Sequence, residues 1–338
     1  MDSVFSSTMR MAAAIRAGHI SAAEVLEAHV ARIDTYNPGL NAIVTMDASW
    51  ARERARQADE ALARGEVWGP LHGVPFTLKD AHATAGMRTT GFPPLDHVPR
   101  EDSAVTARLR AAGGILLGKT NVTMLLGDCQ SHNPIFGRTN NPWNLDRTPG
   151  GSSGGAAAAV ASGMTPFDMG TDLSALIRIP AHFCGLFGLK PTEKRVSLLG
   201  LFPGLSTPRS IRIMSTIGPM ARTAEDLALL YSIIAGPDGY DTEVLPHVGA
   251  RELPAAFNLL VGLFVPAFYL EGADFEQDRP TGPGLGRGVG LRTPHGPIRR
   301  LILWAGSRVE IAEQDVPEAS SPEIDVGDHL EPDECNRP

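Results

Sequence analysis

The chain has 338 residues, 43% hydrophobic and 20% charged, with a formal net charge of −8. That length and balance describe a globular protein able to bury a core without covalent staples. The acidic balance and the lack of a dense Lys/Arg run speak against a nucleic-acid surface, because phosphate binding relies on clustered positive charge.

Residues 21–36, "SAAEVLEAHVARIDTY", predict a helix. Ser21 and Glu24 form a capping-box pattern, and Val25, Leu26, Val30 and Ile33 recur at helical spacing. Pro38 and Gly39 are expected to end it. Residues 47–64 predict a second helix stopped by Gly65. "VPFTLKD" then predicts a strand that delivers Lys79 at its end. "DSAVTARLRAAGG" (102–114) predicts a helix with Asp102 near its start, and "ILLGKTN" a buried strand. A helix over 156–163 leaves directly from "PGGSSGG", and "TPFDMGTD" predicts a strand leading into "LSALIRIP". Helices alternate with short apolar strands, so the expected class is α/β. No internal repeat is visible.

The periodic pattern runs to "NLLVGLFVPAFYL", near residue 270. Gly, Pro and Arg then crowd the chain. "LILWAGSRVEI" predicts one more strand or helix turn, and the acidic, proline-containing end lacks large apolar residues. Segments of that composition bury too little surface to offset ordering entropy. The folded body is therefore expected over 1–270, and a largely disordered tail over 271–338. Cys129, Cys184 and Cys335 are widely spaced and include no C-x-x-C pair, so neither a disulfide framework nor a zinc site is indicated. The N-terminus lacks a signal-peptide core, and the longest apolar run is too short to span a bilayer. The expectation is a cytoplasmic protein with no membrane partner.

Two stretches suggest chemistry. In "PGGSSGG" the glycines open backbone conformations closed to other residues, and the following helix aims free N–H groups at the loop. Without a Gly-Lys-Ser/Thr ending it is not a Walker loop; a plain flexible turn is the other reading. Lys79 would be an ordinary surface charge if solvated. In a desolvated pocket the same amine can lose its proton and take one from a serine hydroxyl.

"GVPFTLKD", "PGGSSGGAAAAVASGMTPF", "GTDLSALIRIPAHFCGLFGLKPT" and "GPMARTAEDLALL" occur in this order. Together they resemble the amidase signature family, serine hydrolases that cleave carboxamide C–N bonds, from the N-terminal helices to about residue 265. The resemblance implies a three-layer α/β/α fold on a mixed central sheet, C-terminally incomplete here because the family domain is longer. It implies a Ser–cis-Ser–Lys triad in which Lys79 is the base and Ser152, after a cis peptide bond, is the bridging serine. Ser153 would support the loop. Backbone N–H groups of Leu173, Ser174, Ala175 and Leu176 would form the oxyanion hole, and Asp172 and Arg178 would be a structural pair. Cys184 matches a packing cysteine; Cys129 falls near the expected site. No metal or organic cofactor is implied.

The nucleophile of that triad is the serine before Ile-Arg, and this chain has Leu176 there. Leucine cannot form an acyl-enzyme. Losing a serine nucleophile costs on the order of 10⁶ in kcat. Ala175 replaces a usual glycine, and if that position requires φ > 0 its methyl group costs about 1–2 kcal/mol. The expectation is an amidase by descent whose hydrolysis is impaired, its substrate class a small-molecule amide. Two alternatives stay open: an active amidase using another nucleophile such as Ser152 or Ser174, and a non-catalytic binding or subunit role. Apolar surface left uncovered by the divergent C-terminal part makes a homo-oligomer a further expectation.

Overall fold

Apolar runs of the chain form strands, and in the computed structural model six of them make one mixed sheet. Residues 3–91, 97–202 and 212–244 are described, with the backbone of short strands between 292 and 313. Two units divide the chain, Met1–Phe264 and Val265–Pro338. The first unit runs α1 (Thr8–Arg16), α2 (Ala22–Leu40), β1 (Ile43–Met46), α3 (Ala48–Ala63), β2 (Pro75–Lys79), α4 (Ala104–Ala111) and β3 (Ile115–Thr120). A small hairpin of β4 (His132–Asn133) and β5 (Gly137–Arg138) follows. Then come α5 (Gly154–Ala161), β6 (Phe167–Asp172), α6 (Arg178–Cys184), β7 (Phe187–Gly188), β8 (Thr216–Ala221) and α7 (Ala224–Ile234).

The sheet order is β1-β3-β2-β6-β8-β7. β3, β2 and β6 are parallel; β1, β8 and β7 join antiparallel. This is the expected α/β class with a mixed central sheet. Successive strand side chains point to opposite faces. Phe76 and Leu78 of β2 therefore enter the main apolar cluster with Val25, Leu26 and Val30 of α2. Phe76 stacks on Phe167 of β6, ring centroids 5.3 Å apart. Thr77 and Lys79 face the other way, toward the start of α5. There a smaller cluster joins Ala156, Ala157 and Val160 of α5 to Ile177 just before α6, to Ala181 within it, and to Met220 of β8.

The Ser21–Glu24 capping box is present in both directions. The predicted stop at Pro38 is corrected: α2 continues through Pro38 to Leu40 and ends at Asn41, which is left-handed (φ 50°). Pro38 carries a helix-compatible φ and forfeits only one N–H bond in the last turn. Asn37 then holds the exit, its side-chain oxygen accepting from the amides of Ala42 and Ile43. The helix expected over 156–163 starts two residues earlier, at Gly154. A Cβ on Gly155 would lie 2.4 Å from the Asn121 backbone, so α5 packs closer than any other residue there would allow. In the 102–114 segment Ser103 is the N-cap, while Asp102 instead pairs with Arg110. α1, β1, the β4–β5 hairpin, α6, β7, β8 and α7 had no counterpart among the predicted elements.

In the second unit the described residues form two antiparallel pairs, β9 (Arg292–Thr293) with β10 (Gly296–Pro297) and β11 (Arg300–Ala305) with β12 (Arg308–Glu313). "LILWAGSRVEI" thus contributes to two strands. The apolar stretch at 258–270, Cys335 and the acidic end lie outside the described residues. No described helix is long and apolar enough to cross a membrane.

Buried polar groups close the first unit over long sequence distances. Asp226, in the first turn of α7, accepts the Thr8 and Met9 amides at 2.8 and 2.9 Å and so caps α1 from 218 residues away. Asp226→Ala leaves those amides unmet and is expected to cost about 2 kcal/mol in chemical denaturation. Arg56→Ala, on the solvated face of α3, is expected to cost less than about 0.5 kcal/mol.

Candidate active site

Lys79 is the last residue of β2 and is fully buried. Its Nζ lies 2.7 Å from each of three hydroxyl oxygens: Ser152 Oγ, Ser153 Oγ and Thr171 Oγ1. An ammonium has three N–H bonds, and here each finds an acceptor. A neutral amine in the same place can accept a proton from one of them. Burial pushes the Lys79 amine down to about 7, against the opposing attraction of Asp168 and Asp172.

The loop that presents the two serines is held by close packing. The Gly151–Ser152 peptide bond is cis. A Cβ on Gly151 would lie 2.6 Å from the Cys129 carbonyl carbon, so the position admits only glycine. Ser131 Oγ ties the loop twice, donating to the Ser152 carbonyl at 3.2 Å and accepting the Gly154 amide at 2.8 Å. Ser153 Oγ also accepts the Thr171 amide at 3.3 Å. Ser131 and Thr171 were missed in the sequence because an isolated hydroxyl carries no spacing signal. Cys129 is half-buried beside this loop. Cys184 is buried, and burial pushes its thiol well up, which fits a packing role.

Residues 173–177 form the turn between β6 and α6. Asp172 is fully buried and takes Arg178 in a fork, with Nε and Nη2 each 3.0 Å from a carboxylate oxygen. Burial pushes the Asp172 carboxyl up, but Arg178 and the amides of Ile177 and Ala175 outweigh it and hold the group below the usual range. The Ala175 amide donates to Asp172 Oδ1 at 2.9 Å and is thereby spent inside the turn. The amides of Leu173, Ser174 and Leu176 find no partner among the described residues. Leu173 and Ser174 are exposed; Ala175 and Leu176 are half-buried. Ala175 has φ = 69°, the left-handed region that favours glycine.

A second fully buried lysine, Lys119 of β3, was also missed. Its Nζ donates to the His82 carbonyl at 2.6 Å and to Thr89 at 3.1 Å, and lies 3.7 Å from Asp80. Burial also pushes His82 down to about 3, so its ring is neutral; Nε2 meets the Met169 carbonyl at 3.1 Å. Among the described residues no group of His, Cys, Asp and Glu could hold a metal ion.

A buried lysine amine thus meets three hydroxyls, and the turn after β6 carries backbone amides with no partner among the described residues. The Amidase family profile matches residues 24–266, and the chain belongs to the amidase signature family. It is 41% identical over 268 residues to a glutamyl-tRNA(Gln) amidotransferase subunit from Synechococcus sp. strain CC9605, covering 78% of this chain and 53% of that one. The corresponding protein from Alkalilimnicola ehrlichii is 45% identical over 274 residues, covering 80% and 55%. Among solved structures, a bacterial aryl acylamidase is 34% identical with a TM-score of 0.66, covering 72% of this chain and 50% of that one. The peptide amidase of Stenotrophomonas maltophilia is 31% identical with a TM-score of 0.67, covering 74% and 52%. The chain spans about half the length of the curated relatives it matches.

Two outcomes test this geometry. Ala175→Gly removes the left-handed penalty and is expected to stabilise the fold by about 1 kcal/mol in urea denaturation. The 13Cε resonance of Lys79, assigned by its loss in Lys79→Met, is expected to titrate near pH 7, while solvated lysines titrate above about 10. The folded value lies below the unfolded one, so the unfolded chain binds the extra proton. The contribution of Lys79 to stability therefore rises as pH goes from about 7 to 10.5.

Proposed function

We propose that this chain is an amidase by descent whose lineage chemistry, hydrolysis of a linear carboxamide to a carboxylate and an amine, is impaired at Leu176. The observation that supports this best is the contact of buried Lys79 with Ser152 at 2.7 Å, in a chain with leucine at the neighbouring nucleophile position. In the lineage reaction a serine hydroxyl at 176 attacks the amide carbon and passes its proton through Ser152 to neutral Lys79. Backbone amides of the 173–176 turn hold the developing oxyanion, and the amine leaves as the acyl-enzyme forms, taking the proton back from Lys79 through Ser152. Water then releases the carboxylate. Lys79 and Ser152 can perform their share with no metal or organic cofactor. The step that fails is the first, because leucine supplies no oxygen to attack. The amidase-signature domain extends over 1–270, and 271–338 is a divergent tail.

A role within a larger complex is the second reading, because the curated relatives are named as an amidotransferase subunit. It predicts a stoichiometric protein partner; a pull-down that recovers none counts against it. A small-molecule amide is the substrate of any activity that survives.

A fluorophosphonate probe followed by intact mass measurement tests the primary reading. No adduct is expected on the natural chain. A stoichiometric adduct at residue 176 is expected in Leu176→Ser, with labelling that speeds up as pH rises through about 7, where Lys79 loses its proton. An adduct on the natural chain would instead establish another nucleophile, and peptide mapping would distinguish Ser152 from Ser174.

A further inference from the structure

We propose that Asp168 is a positioning residue for Lys79: its buried carboxylate is the counter-charge that sets the pH at which the Lys79 amine loses its proton. This rests on reading Lys79 as the base.

The sheet register places the two groups. Thr77 of β2 is directly opposite Asp168 of β6 in the parallel ladder. Lys79 is two residues beyond Thr77, on the same face, and is thus the diagonal neighbour of Asp168. Asp168 is fully buried, and both donors it attracts go to one oxygen: Thr77 Oγ1 at 2.7 Å and Thr120 Oγ1 at 3.1 Å from Oδ2. Oδ1 is buried with no hydrogen-bond partner among the described residues. A buried carboxylate left half-satisfied is costly unless an opposite charge compensates it.

The other charged groups around Lys79 are already committed. Asp172 is forked by Arg178. Asp80 and Lys119 face each other. His82 is neutral, and the α5 end offers only hydroxyls. Asp168, whose charge also reaches Lys119, is the carboxylate left to balance Lys79. Its attraction is also the largest of those opposing the effect of burial on the amine. Burial in turn pushes the Asp168 carboxyl up to about 7, against its two threonine hydroxyls and then the backbone amide and charge of Lys79. A carboxylate near an amine favours the charged form of that amine. Removing it must therefore lower the pH at which Lys79 becomes neutral.

The test is the 13Cε titration of Lys79 in the full chain carrying Asp168→Asn, with circular dichroism to establish folding. The expected result is a midpoint lowered by about one pH unit or more. A folded variant whose Lys79 midpoint is unmoved would overturn the proposal. Should Asp168→Asn not fold, Thr77→Val serves instead. It strips a hydroxyl from the carboxylate, weakens its ionised form, and is expected to move the Lys79 midpoint in the same direction by a smaller amount. An unmoved midpoint there overturns the proposal equally. A merely structural Asp168 would change stability without moving Lys79. The readout needs no turnover: a shifted midpoint with no probe adduct in Leu176→Ser would fall on the proposed function and leave this inference standing.

Discussion

The rest of the site depends on how the protein manages one buried ammonium. Taking a lysine out of water is costly, and the cost is met only when each N–H finds a partner and a counter-charge lies within reach. Lys79 obtains both. Three hydroxyls surround Nζ, delivered by the 150–155 loop and by the end of β6, and Asp168 lies on the same sheet face. Much of the local architecture serves that arrangement. The glycines let the serine loop press against the 129–131 backbone, and Ser131 ties the loop at two points. The alanine-rich start of α5 lets the helix sit tight on the sheet.

The turn at 173–177 lies between the end of β6 and the start of α6. Its frame is complete: Asp172 and Arg178 are forked, and Asp172 gathers the amides of Ala175 and Ile177. Two of its side chains do not suit the frame. Ala175 occupies a left-handed conformation that glycine would adopt freely, and Leu176 is a hydrocarbon side chain with no hydroxyl. Asp172 holds the backbone of the turn through the amides of Ala175, Ile177 and Arg178, none of which is a side-chain contact of 175 or 176. The frame of the turn and the side chains it carries are therefore set by different residues of one loop.

Local signals in the sequence were sufficient where local physics decides. The Ser21–Glu24 capping box, the apolar period of α2 and the buried runs of β2, β3 and β6 each made an element recognisable. They failed where tertiary contacts overrode a local preference. Pro38 reads as a helix stop, yet Asn37 and Asn41 satisfy the chain end two residues later. α1 was invisible because part of its capping comes from Asp226, on a helix more than two hundred residues away. Lys119 sits in an apolar run and gives no sign of its pairing with Asp80, which only the loop after β2 supplies.

By itself the sequence determined the alternation of helices and strands, the family resemblance, and the absence of a hydroxyl at 176. These depend on residue identity, spacing and order, all of which are local properties of the chain. Only the tertiary structure decided that Lys79 is dry, that Thr171 and Ser131 belong to its surround, that Ala175 is strained, and that Asp168 lies diagonal to the amine. Each of those follows from strand register and loop packing. The contacts around Lys79 and Ser131 join residues 21 to 92 positions apart, and no one-dimensional pattern records the distance between them.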